Sequence, residues 1–113
     1  MKKRYIINKE KRTIVCLLED CERMLWQDAC KHFPMIVLGW GYTPDITLEK
    51  TYRGIAKCNP NDEWDEELGK KLACDRAYNA LRTEYKLKAK KFINCLNSHI
   101  SAYETSLSNR GIM

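Results

Sequence analysis

The stretch that decides the fold runs from Gly54 to Leu81 and reads GIAKCNPNDEWDEELGKKLACDRAYNAL. Its first residues belong to the segment TYRGIAKC, which alternates in the manner of a β-strand. An Asn-Pro-Asn turn and a cluster of acidic residues follow, and a long helical pattern begins at Asp65. A strand, a tight turn and a capped helix, with Asn61 or Asp62 as the cap, are therefore expected in one continuous piece of chain.

Upstream of this piece the sequence predicts a β-hairpin. Residues 4–8 (RYIIN) and 12–19 (RTIVCLLE) are β-like runs that flank a polar turn at 9–11. Further along, Met35 to Leu38 reads as a short buried strand. Residues 46–58 are rich in β-branched and aromatic side chains and are expected to form a longer strand.

A short helix is predicted over residues 20–33. Leu25, Ala29 and Phe33 recur every four residues, which gives this segment one apolar face. Asp20 is expected to cap its start, and the proline that follows residue 33 is expected to end it.

The C-terminal half has a long helical pattern without proline. A continuous helix of about forty residues would be roughly 60 Å long, which exceeds the width of a domain of this size. The helix therefore either folds back near residues 94–98 as a helical hairpin or projects and pairs with another copy. The apolar repeat lies near 3.5 residues, which favours pairing and predicts a homo-oligomer, a dimer or larger.

These segments predict an α+β fold in one domain, residues 1–113. Residues 1–60 form a small antiparallel sheet with one short helix, and residues 61–107 form the long helical part used for oligomerisation. No linker, repeat or low-complexity segment divides the 113 residues.

Composition indicates a globular protein with a mild preference for anionic partners, since the net charge is +5. The six cysteines form no C-x-x-C pair, so neither a metal site nor a cofactor is expected. The apolar run that follows the first residues is too short for a secretory leader. No apolar run in the sequence is long enough to span a membrane. We therefore expect reduced cysteines and a cytoplasmic location.

Three polar side chains near the turn are candidates for holding a phosphate-bearing ligand. Arg53 and Arg76 lie on either side of the turn, and an arginine on an inward face is suited to binding phosphate. Arg76 could equally bridge to a carboxylate across a subunit interface. Asn59 could present its amide to a base or ribose, or it could serve only the turn.

Other candidates lie further away in sequence. Trp40 and Tyr42 stand in a glycine-flanked loop and could stack on a purine, or pack against the end of the sheet. Arg110 near the C-terminus could complete a site in a neighbouring copy. The five acids between Asp62 and Glu67 fit stabilisation of a helix N-terminus better than metal binding or catalysis.

The sequence favours a binding protein over an enzyme. His32 and His99 have no recognisable spacing to a nucleophile, and neither a P-loop nor G-x-G-x-x-G is present. The basic clusters, which lie near the N-terminus and between Lys86 and Lys91, could follow a nucleic-acid backbone or form a solvated face.

The segment AKCNPNDEWDEELGKKLACDRA resembles a motif of small phage and prophage proteins. In that motif a strand ends in a Cys-x-Pro-x-Asp turn and leads into a helix with Gly, Leu-Ala and Arg-Ala at fixed offsets. The corresponding residues here are Cys58, Pro60, Asp62, Gly69, Leu72-Ala73 and Arg76-Ala77. The layout is similar to that of phage Thoeris anti-defence proteins, which assemble through a long C-terminal helical part.

The resemblance implies a function without catalysis. Those proteins bind signalling nucleotides, such as cyclic ADP-ribose isomers and some cyclic oligonucleotides, and sequester them uncleaved. We therefore expect a phage-type protein in the host cytoplasm with a small nucleotide as its partner. The alternative is a protein-binding inhibitor of a host defence nuclease, of the anti-CRISPR type, or a module resembling double-stranded-RNA-binding domains.

Overall fold

The computed structural model describes residues 1–33 and 46–112, and within them it confirms the predicted α+β fold. The strands β1 (Lys2–Asn8), β2 (Thr13–Glu19) and β3 (Tyr52–Lys57) form an antiparallel sheet in the order β1-β2-β3. Helix α1 (Met24–His32) follows β2, and helix α2 (Glu66–Asn109) follows β3. The predicted strand at residues 35–38 lies outside the described residues.

The predicted hairpin is confirmed. Strand β1 pairs with β2 from Lys2 opposite Glu19 to Asn8 opposite Thr13. The turn between them closes because the Arg12 amide donates to the Lys9 carbonyl over 3.2 Å. Arg12 has a φ of 52°, in the left-handed region that a tight turn of this kind requires.

One face of the sheet packs against α2 and forms the core. Alternation along each strand turns every second side chain towards the helix. The buried apolar side chains on the two sides of this interface are Ile14, Cys16, Leu18, Tyr52, Ala56, Ala73, Ala77 and Leu81. The small side chains of α2 pack beside larger side chains of the strands. The helix can therefore lie close to the sheet.

The closest approach is at Gly54 in the middle of β3. A Cβ atom built there would lie 2.0 Å from the Ala73 carbonyl oxygen and 2.4 Å from the Ala77 nitrogen. No side chain larger than hydrogen therefore fits between β3 and α2 at their present separation. Gly69 also faces the sheet, but a Cβ there would meet only the Cδ1 end of Ile14, at 2.5 Å.

Helix α2 is one continuous helix of 44 residues. The alternative of a helical hairpin near residues 94–98 is therefore wrong, and the described chain extends 74 Å along its longest axis. Asp65 caps the helix, since its Oδ1 accepts from the Leu68 amide over 3.1 Å. The cap predicted at Asn61 or Asp62 is wrong because those residues lie in the preceding turn, where the Asp62 amide donates to the Asn59 carbonyl.

Two predicted boundaries before α2 also need correction. Helix α1 begins at Met24 after Arg23, and no side chain caps it. Asp20 is not its cap because it has a φ of 60° in the turn that ends β2. The strand predicted over 46–58 is regular only in β3, since the Leu48 amide donates to Glu22 next to α1 instead of to a strand.

Among the described residues, a hydrogen bond and an aromatic pair join α1 and its C-cap residue Phe33 to α2. The Tyr85 hydroxyl donates to the Asp28 carboxylate over 2.7 Å. The rings of Phe33 and Phe92 meet edge to face with centroids 6.1 Å apart. Leu25 and Ala29 are buried beneath these contacts.

Beyond Phe92 the helix presents a row of apolar residues, three of which are exposed, while Leu96 packs against the core and Leu107 is half-buried. The row has alternating spacings of three and four residues and consists of Ile93, Leu96, Ile100, Tyr103 and Leu107. Ile100 is 55% exposed and Tyr103 is 62% exposed. Such spacing is that of the a and d positions of a coiled coil.

Within the described ranges, neither helix combines the length and the apolar character needed to cross a bilayer.

Replacing Gly54 by alanine should strongly destabilise the fold. The added methyl group meets backbone atoms that cannot move without shifting α2, so we expect a loss of at least about 2 kcal/mol in unfolding free energy. Gly69→Ala is the matched control, because Ile14 can rotate away and alanine improves helix propensity by about 1 kcal/mol. Urea unfolding of both variants measures the difference, and equal losses would contradict the close approach at Gly54.

Stability should fall in alkaline solution because burial raises the pKa of Tyr52 and of Tyr85, each to about 12. Both hydroxyls are neutral in the fold, while in the unfolded chain they ionise near pH 10. The contribution of these two neutral hydroxyls to the free energy of unfolding is thus complete below about pH 10, and it is lost as the pH rises towards about 12.

Tyr85→Phe tests this dependence. The variant should be less stable than the parent at neutral pH, since the Asp28 hydrogen bond is lost, and the difference should narrow as the pH rises. Tyr103→Phe, at an exposed position, is the control and should follow the parent. If the difference in unfolding free energy between Tyr85→Phe and the parent stays constant across this pH window, the raised pKa of Tyr85 is not a source of the pH dependence.

Candidate ligand-binding edge

Two of the predicted arginines lie at β3, one on the strand and one reaching it from α2. A guanidinium N–H of Arg76 donates to the backbone carbonyl of Ile55. Arg53 precedes Ile55 by two residues in the same strand and so lies about 7 Å away along the chain. Arg53 and Ile55 project from the sheet face opposite α2, whereas Arg76 reaches the Ile55 carbonyl from α2, and we call these three residues the arginine edge.

The position of Arg76 follows from the packing of α2. Ala73 and Ala77 contact β3 at Gly54, and the Arg76 Cβ lies 2.9 Å from the point where a Gly54 Cβ would be. The Arg76 side chain consequently leaves the interface at the rim of the sheet and reaches the strand edge. This explains why an arginine stands beside the apolar stripe of the helix.

Both arginines retain donors for a ligand. A guanidinium has five N–H donors, and the described contact uses one of those on Arg76. Arg53 is exposed and has no hydrogen-bond or ion-pair partner within residues 1–33 and 46–112. Two guanidinium groups at one strand edge can each bind a phosphate oxygen pair in a bidentate manner.

The sheet face opposite α2 extends this edge into a wider surface. Leu17 lies between Arg4 and Arg53 in one cross-strand row, and Val15 lies between Ile6 and Ile55 in the next row. Ile6 is 46% exposed and Ile55 is 47% exposed. We call this surface the open face, and it combines an aliphatic centre with cationic ends.

Arg4 is less available than Arg53. Its Nε lies 2.8 Å from the Glu19 Oε1, so this guanidinium already has a carboxylate partner on the neighbouring strand. The pair is exposed and therefore weak. Arg4 can still reinforce the positive potential of the open face, although Glu19 partly offsets it.

Asn59 lies in a different environment from the two arginines. The turn at Asn59 and Pro60 opens into a cavity of about 300 Å³ between the end of β3 and the start of α2. Asn59 is four residues beyond Ile55, about 13 Å along an extended chain. The acidic side chains that line the cavity are Asp62, Glu63 and Asp65.

This cavity is unfavourable for a phosphate because three carboxylates would repel it. Of the five acids predicted to stabilise the start of α2, Glu66 and Glu67 lie in the first helical turn next to the capping residue Asp65, whereas Asp62 and Glu63 lie in the loop before it. Arg12 holds the loop by donating to the Cys58 sulfur over 3.2 Å and to the Asp62 carbonyl. The acids and Arg12 thus serve the helix start and its turn.

The remaining candidates do not join the arginine edge within one chain. Arg110 follows the end of α2 and lies 34 residues beyond Arg76, which corresponds to about 50 Å of helix. Its Nε bonds the Ser106 carbonyl over 3.4 Å. Trp40 and Tyr42 lie outside the described residues.

The sequence alone did not point to Arg4 or Ile55 as neighbours of Arg53. Strand alternation and the hairpin register would place these residues on one face if the pairing of β2 with β3 were known, but the local sequence pattern does not predict that pairing.

In the part of the chain that the structure describes, no group of three histidine, cysteine or carboxylate side chains is placed to hold a metal ion.

Comparison with protein-family models, with curated proteins and with solved structures found no match to this chain.

Proposed function

We propose that this protein binds a small phosphate-bearing signalling nucleotide at the arginine edge and sequesters it without cleavage. The observation that carries the proposal is that Arg76 contacts the Ile55 carbonyl while Arg53, on the same strand, is exposed and has no partner in the described chain. Guanidinium groups in this arrangement favour phosphate through charge and through paired N–H donors. The aliphatic residues of the open face offer an apolar surface for the base.

The chemistry of this edge supports binding over catalysis. Guanidinium groups remain protonated at any physiological pH, so they can stabilise a phosphate but cannot act as a general base. Sequestration requires tight binding and no reaction. In this proposal the protein is a phage-type anti-defence protein that lowers the free concentration of a cyclic ADP-ribose isomer or cyclic oligonucleotide in the host cytoplasm.

A second copy of the chain is part of the proposal. The row Ile93–Leu107 has coiled-coil spacing, and pairing two such rows would cover the exposed side chains of Ile93, Ile100 and Tyr103. Arg110 lies about 50 Å along the helix from Arg76, so it takes no part in the arginine edge of its own chain. Assembly and ligand binding are therefore separate properties that separate variants can test.

A host defence protein is the second candidate partner, and the open face favours it. Exposed Ile6 and Ile55 with cationic ends form the kind of surface that docks another protein. Stoichiometric binding to a defence nuclease, with no response to any nucleotide, would support this candidate. Affinity for double-stranded RNA that falls steeply with salt would instead support the nucleic-acid module.

Arg53→Ala should weaken nucleotide binding by about 10–100-fold, since a charge-assisted hydrogen bond contributes about 1.5–3 kcal/mol. Binding is measured by calorimetry with a panel of cyclic and linear nucleotides, and the bound nucleotide is recovered intact after heat denaturation. Arg76→Ala should weaken binding similarly. It should also lower stability slightly, because it removes the hydrogen bond to the Ile55 carbonyl.

The matched control is Arg82→Ala, which removes an exposed arginine from the same helix and leaves the edge intact. Its affinity should equal that of the parent. Unchanged affinity in both Arg53→Ala and Arg76→Ala would sink the proposed site. Recovery of a cleaved nucleotide would sink sequestration.

Ile100→Glu should convert the oligomer to a monomer, because a carboxylate at the centre of a paired apolar row has no partner and is costly to bury. Sedimentation velocity measures the change, and circular dichroism checks that α2 remains helical. Ile112→Glu, beyond the end of the helix, is the control. A parent protein that is monomeric at micromolar concentration would contradict assembly through α2.

A further inference from the structure

Strand β1 is an edge of the sheet, and its outer side pairs with no strand of the described chain. Its register places it against β2 alone, from Lys2 opposite Glu19 to Asn8 opposite Thr13. About half of the backbone N–H and C=O groups of this strand therefore point away from the sheet. An exposed edge of this kind can accept an added strand from another chain.

The other edge of the sheet, β3, is already occupied in part. A guanidinium N–H of Arg76 donates to the Ile55 carbonyl, so a side chain of α2 reaches the middle of this strand. In the described chain, no side chain of α2 bonds a backbone group of β1 in this way. Strand β1 is therefore the edge at which a whole strand can be added.

Helix α2 forms a shelf beside β1, on the face where Lys3 and Tyr5 project. The Lys3 Nζ lies 4.0 Å from the Cys74 sulfur and 5.9 Å from the centroid of the Tyr5 ring. The Lys70 Nζ lies 5.6 Å from the same centroid. Two ammonium groups therefore lie next to one half-buried tyrosine. An added strand would direct every second side chain towards this shelf.

The positive charge at the shelf is only partly neutralised within the described residues. Lys70 has Glu66 as a partner, with 3.8 Å between its Nζ and the carboxylate oxygen. Lys3 is exposed and has no carboxylate partner in the described part of the chain. An acidic side chain on an added strand can approach both ammonium groups, so this surface favours a negatively charged partner.

The opposite side of β1 offers an aliphatic contact. Ile6 is 46% exposed and stands at the end of a cross-strand row with Val15 and Ile55. An apolar side chain on an added strand would lengthen this row by one member. The two cations of β1 on this face already have carboxylate partners. The partner segment should therefore alternate acidic residues, which face α2, with aliphatic residues on the open face.

A second copy of this chain does not fit the edge through its own β1. Pairing two β1 strands would bring the cations Lys2, Lys3 and Arg4 of each copy next to one another. Like charges on paired strands are destabilising. These cations therefore oppose self-association at this edge and favour an acidic chain.

We propose that the outer edge of β1 is a docking site for an acidic, extended segment of another protein, which adds to the sheet as a fourth strand. Backbone hydrogen bonds along β1 supply affinity, Lys3 and Lys70 select acidic side chains, and Ile6 selects aliphatic ones. This site is independent of nucleotide binding at the arginine edge, because β2 separates β1 from β3. Failure of either proposal leaves the other standing.

The test titrates the ¹⁵N-labelled full chain with the synthetic peptide acetyl-Glu-Ile-Glu-Val-Glu-Ile-Glu-amide and follows amide chemical shifts. Saturable changes should be concentrated in β1, and the affinity should fall as salt is added because exposed charges are screened. The same peptide with lysine in place of glutamate should not bind. Changes confined to residues 53–57, or no change up to the solubility limit of the peptide, would overturn the proposal.

Two N-methylated peptides separate strand addition from simple charge attraction. Each keeps every side chain and carries methyl groups on alternate backbone nitrogens, one peptide at the odd positions and the other at the even positions. Only one edge of an added strand pairs with β1, so one peptide should bind normally and the other should lose at least about tenfold in affinity. Equal affinities of the two peptides would overturn strand addition.

Charge variants locate the site on the protein. Lys3→Glu should weaken peptide binding at least about tenfold, because attraction becomes repulsion, and Lys3→Arg should retain binding. Lys57→Glu makes an equal charge change at an exposed position of β3 and is the matched control. It should bind the peptide as the parent does. Equal losses in Lys3→Glu and Lys57→Glu would overturn the site, as would a single-stranded oligonucleotide that binds β1 more tightly than the peptide.

Discussion

The contact between Gly54 and the Ala73–Ala77 stretch of α2 is the constraint on which the rest of the structure depends. A hydrogen at position 54 and two methyl groups on the helix allow backbone to approach backbone. This separation brings the Arg76 guanidinium to the Ile55 carbonyl at one side of the stripe. One close approach thus positions the arginine that reaches the edge of β3.

Much of the fold could be predicted from local patterns. Alternation in residues 4–8 and 12–19 gave the hairpin, and the proline-free apolar repeat gave α2. The boundaries that failed depend on tertiary contacts. Residues 46–49 have strand-like composition, but Leu48 bonds to Glu22 instead of to a strand. Asp20 has capping chemistry, but its left-handed backbone ends β2 four residues before α1 begins.

The candidate site was partly accessible from sequence. The sequence singled out Arg76 because a guanidinium beside an apolar stripe must find a partner, and in the structure that partner is the Ile55 carbonyl. Sequence proximity suggested that Asn59 belongs with it, yet the chain turns Asn59 into an acidic cavity. The hydrogen bond from Arg76 to the Ile55 carbonyl joins residues that are 21 positions apart, and such a pair requires the three-dimensional arrangement.

The most direct test of nucleotide binding at the arginine edge is a map of amide chemical shifts, recorded by NMR on the ¹⁵N-labelled protein during titration with a cyclic ADP-ribose isomer. Our account predicts saturable changes concentrated in residues 53–57 and around Arg76, with residues 62–67 largely unaffected. Chemical-shift changes confined to the acidic cavity at residues 62–67 would contradict this account. It would also be contradicted if saturating concentrations of every nucleotide in a panel that includes cyclic oligonucleotides caused no change.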